Sequence, residues 1–114
     1  MANIYLNAKK DLTTNTVTTL YSVPSNSRAI VKSLLVSEDT NTGTTITVDL
    51  FDGDPSTANK FNLFKTQAVA GNETLQLLTE PLIMLENEVI QVTAADANTL
   101  HVVASILEIN REDR

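Results

Sequence analysis

Between residues 20 and 37 the chain reads LYSVPSNSRAIVKSLLVS: a β-branched strand end, a proline, a polar turn, and a second aliphatic run. No other stretch constrains the fold as tightly. Pro24 cannot donate a ladder hydrogen bond, so it marks the end or the edge of a strand. Ser25, Asn26 and Ser27 supply turn chemistry. The same order returns around residues 69–73 and 85–89. No window of ten or more residues carries the 3.6-residue period that a helix needs. Strand, turn, strand is therefore the grammar of the whole chain.

Period-two alternation predicts strands over residues 3–10, 16–23, 29–37, 44–51, 61–69, 73–80, 82–85, 88–94 and 100–109. In the first, Ile4, Leu6 and Ala8 alternate with Tyr5, Asn7 and Lys9. In the third, Ile30, Lys32, Leu34 and Val36 share one face, with Ala29, Val31, Ser33, Leu35 and Ser37 on the other. Both faces are partly apolar, as expected of a strand covered on two sides. The last run is apolar at nearly every position and should be central. The expected core comprises Ile30, Leu34, Val36, Ile46, Val48, Leu50, Leu75, Leu77, Val92, Val103 and Ile106, with Phe61, Leu63 and Phe64 buried beside it. Short strands with turns every ~8–12 residues define an all-β antiparallel sandwich of seven to nine strands, jelly-roll or immunoglobulin-like.

With 114 residues the chain is expected to form one domain, 1–114, ending in a polar tail at 110–114. Hydrophobic residues make up 42%, enough for a core; aromatics are only 4%, so that core must be aliphatic. There is no cysteine, which excludes disulfides, thiolate metal sites and a cysteine nucleophile. The net charge is −6 and the densest cationic site is the pair Lys9-Lys10. Nucleic acid is not an expected partner, because phosphate neutralisation needs clustered cations. No apolar stretch is long enough to cross a bilayer, and MANIYLNAKK lacks the pattern of a signal peptide.

Residues that carry chemistry elsewhere are sparse here. His101 is the only histidine and lies within the last strand, where a structural or surface role, or titration at a subunit contact, is expected. Asp49, Asp52 and Asp54 surround Gly53 at a spacing that could face a hard cation, but Asp-Gly-Asp-Pro is also an ordinary turn. No glycine-rich phosphate cradle exists, and with no Trp and only Tyr5 and Tyr21 beside three Phe a sugar-stacking platform is not expected. The expectation is a protein that is not an enzyme, with no cofactor and no metal. Its working surfaces should be the terminal segments. Ile4, Tyr5 and Leu6 lie on a strand near a free end, where an unpaired edge invites another chain. Arg111 and Arg114 stand in a tail of mixed charge that can dock on a neighbour.

Leu20-Tyr21-x-Val23-Pro24, then Ala29-x-Val31-x-Ser33-Leu34-x-Val36, resembles small structural proteins of tailed bacteriophage virions. Ala70-Gly71-Asn72-Glu73-Thr74-Leu75, Glu80-Pro81-Leu82-Ile83 and the run from Glu88 to Ala94 extend the resemblance, which covers residues 20–109. It implies a β-sandwich module on the capsid or tail without catalytic residues. The expected role is a capsid decoration or cement protein, with a tail, collar or fibre component, or a host-surface or carbohydrate-binding module, as alternatives. The implied partners are the major capsid protein or other virion proteins and further copies of the chain, as a homo-oligomer with a trimer favoured. The implied location is the surface of the phage particle, assembled in the host cytoplasm. One departure is Glu86-Asn87-Glu88, where such sequences carry a Gly-Asp turn.

Overall fold

The computed structural model describes residues 2–110. Among them are nine strands and no helix: β1 (Ala2–Leu12), β2 (Thr18–Ser22), β3 (Ser27–Glu38), β4 (Thr44–Phe51), β5 (Lys60–Val69), β6 (Thr74–Gln76), β7 (Leu82–Met84), β8 (Val89–Ala94) and β9 (Leu100–Asn110). They form two antiparallel sheets. The first runs β1-β9-β3, with β6 and β7 sharing the far side of β3; the second runs β2-β8-β4-β5.

The pairing follows a nested rule. β1 pairs β9, β2 pairs β8, β3 pairs β6 and β7, and β4 pairs β5. That is one long hairpin folded over on itself, which is the double Greek key of a jelly roll. An immunoglobulin-like sandwich would keep its first two strands side by side in one sheet. Here β1 and β2 lie in different sheets.

The core lies between the sheets and is aliphatic, as the scarcity of aromatic residues requires. Leu34, Val36, Ile46, Val48, Val92, Leu100, Val102 and Ile106 are at most 2% exposed. Four expected core residues, Ile30, Leu50, Leu75 and Val103, are only half-buried. For Ile30 the reason is a β-bulge. Val31 stands opposite Ile106 and Ser33 opposite Ser105, so Lys32 is the extra residue. The bulge flips the alternation within β3. Ala29 and Val31 face the core before it; Leu34, Val36 and Glu38 face the core after it. A strict period of two across the whole strand puts Ile30 on the wrong face. Val103 falls on the outer face of β9, because Leu100, Val102, Ala104 and Ile106 take the inner one.

A second bulge bends β5. Ile46 stands opposite Gln67 and Val48 opposite Phe64, leaving Lys65 and Thr66 against Thr47. Thr66 sits at φ 49°, an unusual region for a β-branched residue, and its N–H donates to Thr47 Oγ1 at 3.1 Å. Phe61, opposite the half-buried Leu50 near the start of this edge strand, is 50% exposed instead of buried. The expected strand at 73–80 is only three residues long. Past Gln76 one backbone bond remains, from Leu77 N to Leu34 O at 2.9 Å, and the side chain supplies the rest: Gln76 Oε1 accepts from Leu34 N at 2.8 Å and from Leu78 N at 3.2 Å. Asn110, expected to open the polar tail, instead closes β9 opposite Ala2 and Ser27. Arg111 and Arg114 lie outside the described residues.

Turns are closed by asparagine. Asn26, Asn41, Asn72, Asn87 and Asn98 all adopt positive φ, where asparagine is tolerated better than other non-glycine residues. Asn87 closes the turn between β7 and β8 in place of glycine, with Glu88 N donating to Leu85 O.

The facing of β9 and β3 has a measurable consequence. Leu34→Ala is expected to lower unfolding free energy by about 2–5 kcal/mol. Val103→Ala, half-exposed on the outer face, is expected to cost less than about 1 kcal/mol. Chemical denaturation of the two variants checks the assignment, and equal losses would reverse it.

Candidate assembly interface

Antiparallel sheets with one face toward water carry polar residues on that face. The second sheet obeys this rule across its central rows. Thr19, Gln91, Asp49 and Asn62 stand in one cross-strand row, and Thr47 pairs Thr93 in the next. These side chains hold one another: Gln91 Nε2 donates to Thr19 Oγ1 at 3.1 Å, and Asn62 Nδ2 donates to Asp49.

The first sheet breaks the rule. Tyr5 stands opposite Leu107, Leu107 opposite Ile30, and Ile30 opposite Ile83. The alternation that buries Leu6, Ile106, Val31 and Met84 turns these four outward. The result is an apolar row across β1, β9, β3 and β7 on the outer face. Tyr5 is 77% exposed and Ile83 62% exposed. Beside the row an open groove of about 290 Å³ is lined by Tyr5, Leu6, Asn7, Lys32, Ser105 and Ile106. Of the site residues expected from sequence, Tyr5 and Leu6 thus meet at one groove, and Ile4, 42% exposed, lies on the same strand. The full row was missed because it joins β1, β9, β3 and β7, and register between distant strands cannot be read from local alternation.

One end of this sheet carries charge. His101 pairs Asp11 across β1 and β9, with Nε2 3.2 Å from Asp11 Oδ1, while Nδ1 lies 3.6 Å from Asp39 Oδ2. The two carboxylates meet opposite ring nitrogens, so they hold the imidazole from both sides and do not converge on one point. The aspartates around Gly53 do not converge either. Asp49 pairs with Asn62, Asp52 accepts from Asn59 N at 3.0 Å, and Asp54 accepts from Ser56 N and Oγ. Those bonds hold the Asp54 carboxyl below the usual aspartate range. No group of three metal-ligating side chains is assembled among the described residues.

Glu38 and Glu108, both buried, hold the two ends of the sandwich. Glu38, 1% exposed at the end of β3, gathers the loop that follows it. Its oxygens accept from Thr40 Oγ1 at 2.6 Å, from the N–H groups of Thr40, Asn41 and Gly43 at 2.9–3.0 Å, and from Asn72 N at 3.1 Å. The Thr40 hydroxyl, helped by the backbone donors, holds the carboxyl far below the usual glutamate range, against the opposing effect of burial. Gly71 seals this arrangement, since a Cβ there would lie 2.7 Å from the Asn41 carbonyl carbon. At the other end, Tyr21 of β2 donates to Glu108 of β9 at 2.5 Å and ties one sheet to the other. Burial first, and then Glu108, raises the Tyr21 hydroxyl pKa well above that of an ordinary tyrosine.

No family model and no curated protein matches the chain. Solved structures do. A chain in the acid-stable capsid of Helicobacter pylori bacteriophage KHP30 aligns with a TM-score of 0.56 at 15% identity, covering 96% of this chain and 89% of that one. A chain of the disulfide-linked pili that form Bacillus endospore appendages aligns at 0.57 and 14%, covering 96% and 87%. A chain of infectious bursal disease virus, Gx strain, aligns at 0.54 and 9%, covering 97% of this chain but only 30% of its own length. At these identities the likeness is one of fold: capsid and phage chains share this β-sandwich.

Two substitutions test the buried carboxylates. Glu38→Gln is expected to destabilise the fold at neutral pH, because a neutral amide is a weaker acceptor. The ionised Glu38 contributes stability that is fully present above the unfolded pKa of about 4.3 and is lost as pH falls through the much lower folded value. The difference in melting temperature between wild type and variant should therefore narrow below about pH 4. A gap that does not change with pH would show that the carboxylate charge is not what orders the loop. Tyr21→Phe leaves Glu108 without this donor and is expected to cost about 1–3 kcal/mol by denaturation at pH 7.

Proposed function

We propose that this chain is a structural protein of a virus particle, and more specifically a non-enzymatic decoration or cement protein on the shell of a tailed bacteriophage. The observation that carries this reading is the apolar row on the outer face of the first sheet. A sandwich that works alone in water gains nothing from Tyr5, Leu107, Ile30 and Ile83 on its surface. A module that lies flat on another protein does. Three strands of eleven or twelve residues span ~36 Å, and with the short β6 and β7 along the far side of β3 the sheet is ~19 Å wide, so the face measures roughly 700 Å². A stable protein interface needs about 800 Å² per partner. The polar second sheet, with its Thr and Gln rows, then faces solvent.

A phage capsid chain of similar length with the same fold supports this reading. Its partners would be the major capsid protein and further copies of itself, and binding at many equivalent sites would add avidity without new contacts per copy.

Quantitative mass spectrometry of purified particles tests the proposal, with the chain expected in many copies per particle. Its absence from particles would overturn the reading. On particles stripped and then re-decorated with recombinant protein, the double variant Tyr5→Ser, Ile83→Ser should lose occupancy at least tenfold while remaining folded by circular dichroism. Thr47→Lys, on the opposite sheet, should bind as wild type does.

A further inference from the structure

β1 is an edge strand of eleven residues, with β9 on one side and no strand on the other among the described residues. Long edges are usually defended by lysine, proline or a bulge. On β1 such defence is confined to one end. Residues 3–8, NIYLNA, carry no charge and no proline, and Lys9, Lys10 and Asp11 follow. The β1–β9 register also runs without a shift from Ala2 to Leu12, so no bulge turns the edge away.

We propose that this edge pairs with β1 of a second copy, antiparallel about a two-fold axis, so that the first sheet continues from one copy into the next. The charge layout selects that occupant and that direction. Parallel pairing in register would set Lys9 against Lys9 and Lys10 against Lys10. Antiparallel pairing centred in the uncharged stretch sets Tyr5 opposite Asn7 of the second copy and Asn3 opposite its Lys9, and no like charges meet. The side chains of opposed residues point to the same face of a continuous sheet. The row Tyr5–Leu107–Ile30–Ile83 therefore adjoins its symmetry mate and doubles the apolar face. The symmetry is two-fold, where the sequence suggested a trimer. An isologous contact needs only one self-complementary edge. One strand pair buries less than a standard interface, so the dimer is expected to be weak and dependent on concentration.

The test uses the purified full chain in solution and is independent of any particle, so its failure leaves the virion reading standing and the reverse also holds. Sedimentation equilibrium is expected to show a monomer–dimer equilibrium. Asn3→Lys sets a like charge opposite Lys9 twice per dimer and should weaken association on the order of tenfold, while Asn3→Glu should tighten it. The chain has no cysteine, so the double variant Tyr5→Cys, Asn7→Cys should form a disulfide-linked dimer under mild oxidation. Thr47→Cys and Ile83→Cys should not. A strict monomer at all concentrations overturns the proposal. So does a dimer or trimer that is indifferent to both Asn3 variants, or one cross-linked through Ile83→Cys and not through positions 5 and 7.

Discussion

The ladder between β3 and β9 is the constraint on which the rest of this molecule depends. β9 lies between β1 and β3, and β3 lies between β9 and the broken pair β6 and β7. Whatever sets the facing of these strands sets both the core and the outer surface. One residue does so. Because Lys32 has no partner across the ladder, the strand changes parity at that point. Ala29 and Val31 reach the core on one side of it, and Leu34 and Val36 on the other. Without the bulge, half of β3 would expose its aliphatic residues to water, and the outer row would lose Ile30. The same bulge lies where the far-side ladder lapses and Gln76 completes it with a side-chain oxygen. A bulge twists and bends its strand, which fits a sheet whose far edge is made of two short pieces.

Around this frame the molecule is organised by acceptors that need donors. Glu38 is buried at the point where β3 leaves the sheet, and a buried carboxylate is tolerated only when its lone pairs are filled. The loop that follows bends around it and presents its N–H groups, and the turn containing Asn72 closes from the other side. This is loop order produced by electrostatics, in a segment of Thr, Asn and Gly that offers little apolar surface to bury. At the opposite end Tyr21 and Glu108 join the two sheets directly.

Much of the fold was legible in the sequence because each strand states its period locally and each turn states its chemistry. Nine strands fall within or across the expected segments, the one expected over 73–80 being cut to Thr74–Gln76, and Pro24 does follow the end of β2. What escaped was non-local. The bulge at Lys32 depends on which strand lies opposite, so Ile30 was assigned to the wrong environment, and Phe61 was misplaced because local alternation does not say that β5 is an edge strand. Val103 was misjudged because a strand that is apolar on both faces gives no sign of which face is inner. Of the candidate site, Ile4, Tyr5 and Leu6 could be found from their place near a chain end. Leu107, Ile30 and Ile83 could not, since only the register joins them to Tyr5. Glu38 gave no signal at all: Glu38-Asp39 looks like a solvated turn until the donors around it are seen.

The nested order of the strands also has a kinetic meaning. β1 finds its ladder partner only in β9, at the other end of the described chain, and β3 needs the same strand on its inner side. While the chain is being synthesised, β4 and β5 can close as a local hairpin, but the first sheet has to wait for its middle. Contacts so distant in sequence are slow to form, because the loop entropy is lost before the pairing rewards it. During that interval the uncharged edge of β1 and the apolar residues of β3 stand unpartnered on the ribosome. A strand edge of this kind on many nascent copies at once is an aggregation hazard. Lys9, Lys10 and Lys32 lie within these segments, where charge opposes pairing between exposed edges.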